Sequence, residues 1–493
     1  MSFYSVSRLS LKIGLGSVSF SFLVVTPAFG AEQPGSPALL PKIHVSADNR
    51  GFVTETGKPF VPFGVTYFRP GTGWAPQVWR QFDAQATRRD FARLRELGGN
   101  CVRVFLSFGS FYEEPGRLSA GALAKLDQFL SLAEETGLYV QPTGPDHWEG
   151  LPEWARGDRM AEAKILSALE QFWTLLAARY RGRSVIFAYE LLNEPEVGWD
   201  TVAMRQQWPA WLLKKYGAAA RLSEAWGRPV GQADLEAIAP PAKDAPPGKS
   251  LLDYQLFRED IADQWTRRQV AAIRSVDPQA LVTTGLIQWS VPLCLAGPFH
   301  YSAFRPSRQA ALLDFLEVHF YPLATGFYEY QGEESEQRNL AYLECVTREV
   351  ARCGKPVVIG EFGWYGGGRL AIDGGRHPAA TEDQQARWCR AAVESTAGWA
   401  TGWLNWSFHD HPGAGDVTEL IGLLAPDERV KAWGRAFHEL SGKLQARPLP
   451  PAPSVKRPAL DWDRNITDRR AMDAFRESYF QAFKADAGQS AWH

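Results

Sequence analysis

Charge of one sign is missing from this sequence: 53 Lys and Arg stand against 55 Asp and Glu, a net charge of −2. A chain so balanced has no electrostatic pull toward nucleic acid or an anionic membrane surface, so neither is expected as a partner. Long apolar runs are missing as well. The stretch from Ile13 to Val25 is interrupted by Ser and Gly and falls short of the roughly 20 residues that a membrane span requires. Arg8 and Lys12 precede it and Ala28-Phe29-Gly30 follow it, so residues 1–30 read as an export signal cleaved before Ala31. Residues 31–43 read as a linker. The mature protein is expected to be secreted or periplasmic, with no membrane attachment after cleavage. Cysteine is scarce. Cys101, Cys294, Cys345, Cys353 and Cys389 leave at least one thiol unpaired and match no zinc spacing, so they read as small buried hydrophobes.

Two further absences narrow the chemistry. No Gly-rich phosphate turn follows the first strand-like run, which argues against a doubly wound nucleotide-binding sheet. No Lys stands at the end of a strand-like run, which argues against an aldolase or lyase working through a Schiff base.

What is present is a rhythm. Short β-rich runs, each followed by a loop, recur eight times: PFGVTYF, NCVRVFLSF, LYVQPTG, SVIFAYELLNEP, LVTTGLI, FLEVHFYP, PVVIGEFGW and TGWLNWSF. Amphipathic helices separate nearly all of them, the weakest lying after the fifth run. Eight such units close a (β/α)8 TIM barrel, an α/β fold with its active site at the C-terminal ends of the strands. Its expected domain spans 44–445. A short alternating stretch punctuated by Asn49-Arg50-Gly51 and Thr56-Gly57 reads as an N-terminal β-hairpin that closes the barrel bottom. Long βα loops are expected, with an insertion over 196–250 after the fourth strand. Residues 446–493 read as a Pro-rich connector and a C-terminal helix.

Two of the apolar runs stop at glutamates, Glu194 in YELLNEPE and Glu361 in VVIGEFGW. A ring of strands can aim both at one point. Other polar and aromatic residues cluster at the same ends: Arg103, Asn193, His319, Tyr321 and Trp406. Side-chain alternation predicts that His319 and Tyr321 share a face, as do Ile359 with Glu361 and Glu190 with Glu194. So many polar groups are tolerable inside a barrel only as one satisfied network. Glu190, deeper in its strand, reads as half of a structural ion pair. His409 and His411 share a face after the eighth strand, but no further ligand matches them, so neither a metal nor a cofactor is expected. The 19 Trp and 28 Phe offer flat faces on which sugars stack, most of them in the core and a minority in the site.

In this order, Asn193-Glu194-Pro195, His319-Phe320-Tyr321, Gly360-Glu361-Phe362-Gly363 and Trp406 resemble glycoside hydrolase family five, the cellulase and mannanase family of the retaining (β/α)8 clan. The resemblance implies a retaining β-glycoside hydrolase with Glu194 as acid/base and Glu361 as nucleophile. Arg103 and Tyr321 would hold the nucleophile, Asn193 would bind the sugar 2-hydroxyl, and Trp406 would floor the cleavage site. His147, His319 and Trp364 join the implied substrate-binding set. Thr66-Tyr67 departs from the Asn-Tyr of many relatives. The implied substrate is an oligo- or polysaccharide of β-mannan or β-glucan type. Two alternatives stand beside it: an exo-acting β-mannosidase, β-glucosidase or β-galactosidase, and a non-catalytic carbohydrate-binding barrel. The segments WLLKKYG and LSEAWG resemble part of some β-galactosidases of the same clan.

Overall fold

The structure, a computed structural model, describes residues 39–72, 77–322, 332–371 and 377–486. The export signal, most of the linker and the centre of the loop after Glu361 lie outside the described residues. Among those described, no helix is long and apolar enough to cross a membrane.

Eight parallel strands close into a barrel: Phe63–Thr66, Cys101–Ser107, Tyr139–Asp146, Tyr189–Asn193, Val282–Leu286, Leu316–Phe320, Val357–Phe362 and Gly402–Asn405. Each strand pairs with its neighbour in sequence, and the eighth pairs back onto the first. Helices Ala84–Glu96, Ala120–Thr136, Ala163–Tyr180, Lys249–Val276, Gly332–Ala351, Glu382–Thr396 and Ala432–Ala446 surround them. Their ends obey local chemistry. Ser119 caps the second of these helices by accepting from the Ala122 N–H, and Gly137 ends it in a left-handed conformation at φ 73°. After the fifth strand only a four-residue helix forms, Pro306–Gln309. Pro292 and Pro298 interrupt the first part of that segment, and Pro306 stands at the first position of the helix.

The bottom of the barrel is closed by a three-stranded antiparallel sheet, Ile43–Val45, Phe52–Thr54 and Pro59–Phe60, one strand more than a hairpin. Phe52 lies edge-on to Phe187 and Phe315, and Phe60 packs on Tyr139, so the plug is aromatic. The insertion after the fourth strand folds as Val202–Tyr216, Ala219–Trp226 and Gln232–Ala237, followed by an irregular Pro-rich run. The connector after the barrel is irregular, and the C-terminal helix Arg469–Ala485 packs on the Gly332–Ala351 helix. Arg457 and Tyr479 both bond Glu344 there, at 2.6 and 2.9 Å. All five cysteines are free; Cys101, Cys345 and Cys389 are buried and the other two partly so.

The apolar core lies mostly between strands and helices. Inside the barrel the strands point Thr66, Arg103, Gln141, Thr143, Glu190 and Glu317 at one another, all fully buried. Two glycines make room for them. A Cβ on Gly285 would stand 2.2 Å from a Glu190 oxygen, and one on Gly360 would stand 1.7 Å from a Glu317 oxygen.

Candidate active site

Arg103 is the hub of this interior. Its Nε and Nη2 donate to the two oxygens of Glu190 at 2.6 and 2.8 Å, a fork-to-fork pair. Its Nη1 donates to Glu361 Oε1 at 2.6 Å, and Nη2 also reaches Asn193 Oδ1 at 2.8 Å. Tyr321 donates to the second Glu361 oxygen at 2.9 Å. Both oxygens of Glu361 are therefore held. Tyr321 is itself fixed by Gln288, which accepts from its backbone N–H at 2.8 Å and donates to its carbonyl at 3.2 Å.

Glu194 stands beside this group. His319 Nδ1 lies 3.2 Å from Glu194 Oε1 and 3.7 Å from Glu361 Oε2. Single oxygens of Glu194 and Glu361 and a ring nitrogen of His319 all lie within 4.8 Å of one another. Glu361 is almost buried, at 6% side-chain exposure, whereas Glu194 is 27% exposed. One carboxyl is locked and dry; the other is open to a substrate.

The backbone explains how these groups meet. Across the fourth and fifth strands Glu190 pairs with Thr283 but Asn193 pairs with Gly285, so the fourth strand carries one extra residue. Glu190 and Asn193 therefore share the inner face. Glu194 then turns to φ 45°, a left-handed conformation, with its N–H bonded to the Gly285 carbonyl at 2.8 Å. That turn lets the residue after Asn193 also reach the site. A second bulge lies between Ile359 and Glu361: Ile359 pairs with Val318 and Glu361 with His319. Ile359 thus lies on the face of Val318. The expected face-sharing of Ile359 with Glu361, drawn from strict alternation, is corrected by this extra residue.

Electrostatics separates the acids. Burial pushes the Glu361 carboxyl up from its ordinary range and Glu194 adds to this, while His319, Arg103 and Tyr321 oppose it. Burial acts on Glu190 the same way, but there Arg103 outweighs it and holds the carboxyl below its ordinary range. Burial works against charge on His319, yet Glu361, Glu194 and Glu317 overcome it and bring the imidazole up to about 10. The oxygens of Glu190 and Glu317 stand near a His319 ring nitrogen in a way that an ion could bridge. That space is already served by Arg103 and by Gln141, whose Nε2 bonds Glu317 at 2.8 and 3.0 Å.

Trp406 is partly exposed, flanked by Phe68 and Phe105 at ring distances of 5.0 and 5.9 Å, and anchored by its indole N–H on Thr418 at 3.0 Å. His147 directly follows the third strand, half exposed, with Nδ1 2.7 Å from Asp146, and stacks on Trp148. Trp364 is a correction. Its ring is fully buried beside Tyr365, and Gln385 of the Glu382–Thr396 helix bonds its carbonyl, so it offers no accessible face to a sugar. Gly363 before it is closely packed: a Cβ there would meet Ile421 and the Trp406 carbonyl within 3 Å. His409 faces Asp90 at 3.5 Å, while His411 stacks on Phe68. Their rings have separate partners.

Residues that the sequence reading did not single out are Glu317, Gln141 and Thr143 beneath the site, and Trp289 beside it. Trp289 is partly exposed, its indole donates to Glu196, and it adjoins the Gln288 that holds Tyr321. The inward period on the sixth strand, Glu317-His319-Tyr321, was the signal available for the first of them.

A parallel barrel whose strand ends present two carboxyls this close, one clamped by Arg and Tyr and one accessible, defines an O-glycoside hydrolase of the retaining kind. The cellulase model, glycosyl hydrolase family 5, matches residues 53–411, and the chain belongs to that family. No curated protein sequence matches the chain. Among solved structures it is similar to the exo-β-1,4-mannosidase Op5Man5 from Opitutaceae bacterium strain TAV5, with 18% identity and a TM-score of 0.59. The match covers 83% of this chain and 63% of that one, so it spans less than two thirds of the mannosidase. It is similar to GH5_18 from Streptomyces cattleya in complex with GlcNAc, with 20% identity and a TM-score of 0.61, covering 87% and 92%. A variant of that protein was solved with Manβ1-4GlcNAc. The β-galactosidase from the psychrophilic Marinomonas ef1 is similar at 17% identity and a TM-score of 0.63, covering 86% and 67%.

Proposed function

We propose that this protein removes terminal β-linked sugars from oligosaccharides by double displacement, with β-mannosides as its first substrates. The observation that carries the chemistry is the clamped Glu361 within reach of the accessible Glu194. Glu361 attacks the anomeric carbon while Glu194 protonates the departing oxygen; a covalent glycosyl-enzyme forms, and Glu194 then draws a proton from water to release the sugar with retention. Asn193, tied to Arg103 through Oδ1, keeps its amide protons for the 2-hydroxyl. Trp406 lies under the ring. Trp289, on the side of Glu196, is placed for the leaving sugar.

Exo action is supported by the helical insertion over 196–250 on the face where the site opens, and by the activities printed for the mannosidase and galactosidases of similar fold. Export is supported by the N-terminal signal pattern. A panel of aryl β-glycosides tests the sugar, and proton NMR of the first product tests retention. Glu361→Ala should abolish turnover and, with azide, yield a glycosyl azide of inverted configuration; ordinary activity in that variant would overturn the reading. Manno-oligosaccharides should release mannose alone, and the mature N-terminus should be Ala31.

A further inference from the structure

Glu317 is a fully buried carboxylate that double displacement leaves without a role. It lies on the sixth strand two residues before His319, on the same inward face. Gln141 donates to both of its oxygens, so it acts as an acceptor on both sides. Arg103 Nε lies 3.8 Å from it, and His319 Nε2 lies 3.7 Å from the same oxygen. His319 Nε2 has no hydrogen-bond partner among the described residues, and Glu190 Oε1, at 4.0 Å, is the other anionic oxygen near it. The chain keeps this carboxylate at the expense of a side chain on the nucleophile strand, because a Cβ on Gly360 would overlap it.

We propose that Glu317 is a positioning residue that keeps His319 doubly protonated, so that Nδ1–H always donates to Glu194 Oε1. The transferable proton of the acid then sits on Glu194 Oε2, facing the leaving group. The same imidazolium stands 3.7 Å from Glu361 and favours its ionised form. This rests on the retaining-hydrolase reading. The groups facing His319 are Glu190 from the fourth strand and Glu194 just past its end, Glu361 from the seventh, Arg103 from the second and Glu317 from its own. Those facing Glu317 are Arg103, Gln141, Glu190, His319 and the Cys101 thiol, which burial keeps protonated; burial and the Glu190 charge push the Glu317 carboxyl up from its ordinary range, and His319 and Arg103 oppose them. The raised basicity of His319 agrees with this geometry.

The test is Glu317→Gln, which keeps shape and removes charge. The sign of the effect separates the possibilities. If Glu317 holds the proton on His319, the variant loses the imidazolium next to both carboxyls. Both limbs of the kcat/KM profile on an aryl β-glycoside then move to higher pH, by about one unit. If His319 keeps its proton without Glu317, the site gains net positive charge and the limbs move to lower pH. That result, or a superimposable profile, overturns the proposal. Should the variant fail to fold, nitrogen-15 NMR of histidine-labelled wild type decides, with His319 assigned by its loss in His319→Gln. Two protonated ring nitrogens persisting at pH 8 support the proposal, and an imidazole titrating near 6.5 overturns it. A wild type inactive on every β-glycoside would instead sink the hydrolase reading.

Discussion

Gly360→Ala is a small change with a large expected penalty. The backbone there is not left-handed, so the residue is not a glycine for conformational reasons. Its added methyl would lie 1.7 Å from Glu317 Oε1 and 2.3 Å from Cδ. Ordinary carbon contacts are about 3.5–4 Å, so the carboxylate must retreat by about 2 Å. That distance breaks the Gln141 bonds of 2.8 and 3.0 Å and leaves a buried charge without its donors. Breaking such an arrangement costs about 3–5 kcal/mol. The stiffer unfolded chain returns about 0.4–1 kcal/mol, leaving a net loss of about 2–4.6 kcal/mol. Urea unfolding of a four-member cycle with Glu317→Ala isolates the cause. In the Glu317→Ala background the same alanine has no carboxylate to displace, so its cost should vanish and leave the gain of about 0.4–1 kcal/mol from the stiffer unfolded chain. Equal cost in both backgrounds, or a Gly360→Ala variant as stable as wild type, would refute the reasoning.

Three other outcomes are expected. Tyr321→Phe removes one of the two clamps on Glu361, so kcat should fall by about 10–100-fold. Burial already pushes that carboxyl up and Tyr321 opposes it, so the acid limb of the pH profile should move to higher pH. Lys431→Met strips Asp410 of the buried ammonium that bonds both its oxygens at 2.9 and 3.0 Å. Burial brings Asp410 up to about 6 against the Lys431 charge, and the folded form binds its proton more tightly than the unfolded chain. Stability therefore falls as pH rises through that range, and thermal melts of the variant should show a deficit of about 3–5 kcal/mol at pH 8 that shrinks at pH 5. Trp289→Ala should weaken turnover of a β-linked disaccharide, read in kcat/KM, while hydrolysis of the corresponding glycosyl fluoride, which has no leaving ring, stays near wild type.

Most of the fold was legible because helix caps and apolar runs are local signals. Ser119 and Gly137 mark both ends of a helix, and eight runs with spacer helices leave little choice but a closed barrel. The failures are non-local. PFGVTYF looks like seven residues of strand, yet the neighbouring strands pair only Phe63–Thr66. The bulges near Asn193 and Gly360 depend on the register of the strand alongside, which no single stretch encodes. Glu317 shares the inward period of His319 and Tyr321, but it sits between Leu316 and Val318, below the strand end on which attention falls. Trp364 looked like a site residue because Glu361 is three positions away, and only its packing beside Tyr365, with its carbonyl held by Gln385, shows it buried.

The left-handed backbone of Glu194 has a consequence for selection. A side chain other than Gly, Asn or Asp in that conformation costs roughly 1 kcal/mol. Glu194→Gly should therefore yield a chain at least as stable as its parent and unable to protonate a leaving group. A library sorted for thermal survival alone would drift toward Gly or Asn at this position. Retention of glutamate there must be maintained by turnover, so a screen of this protein needs a catalytic readout alongside its stability one.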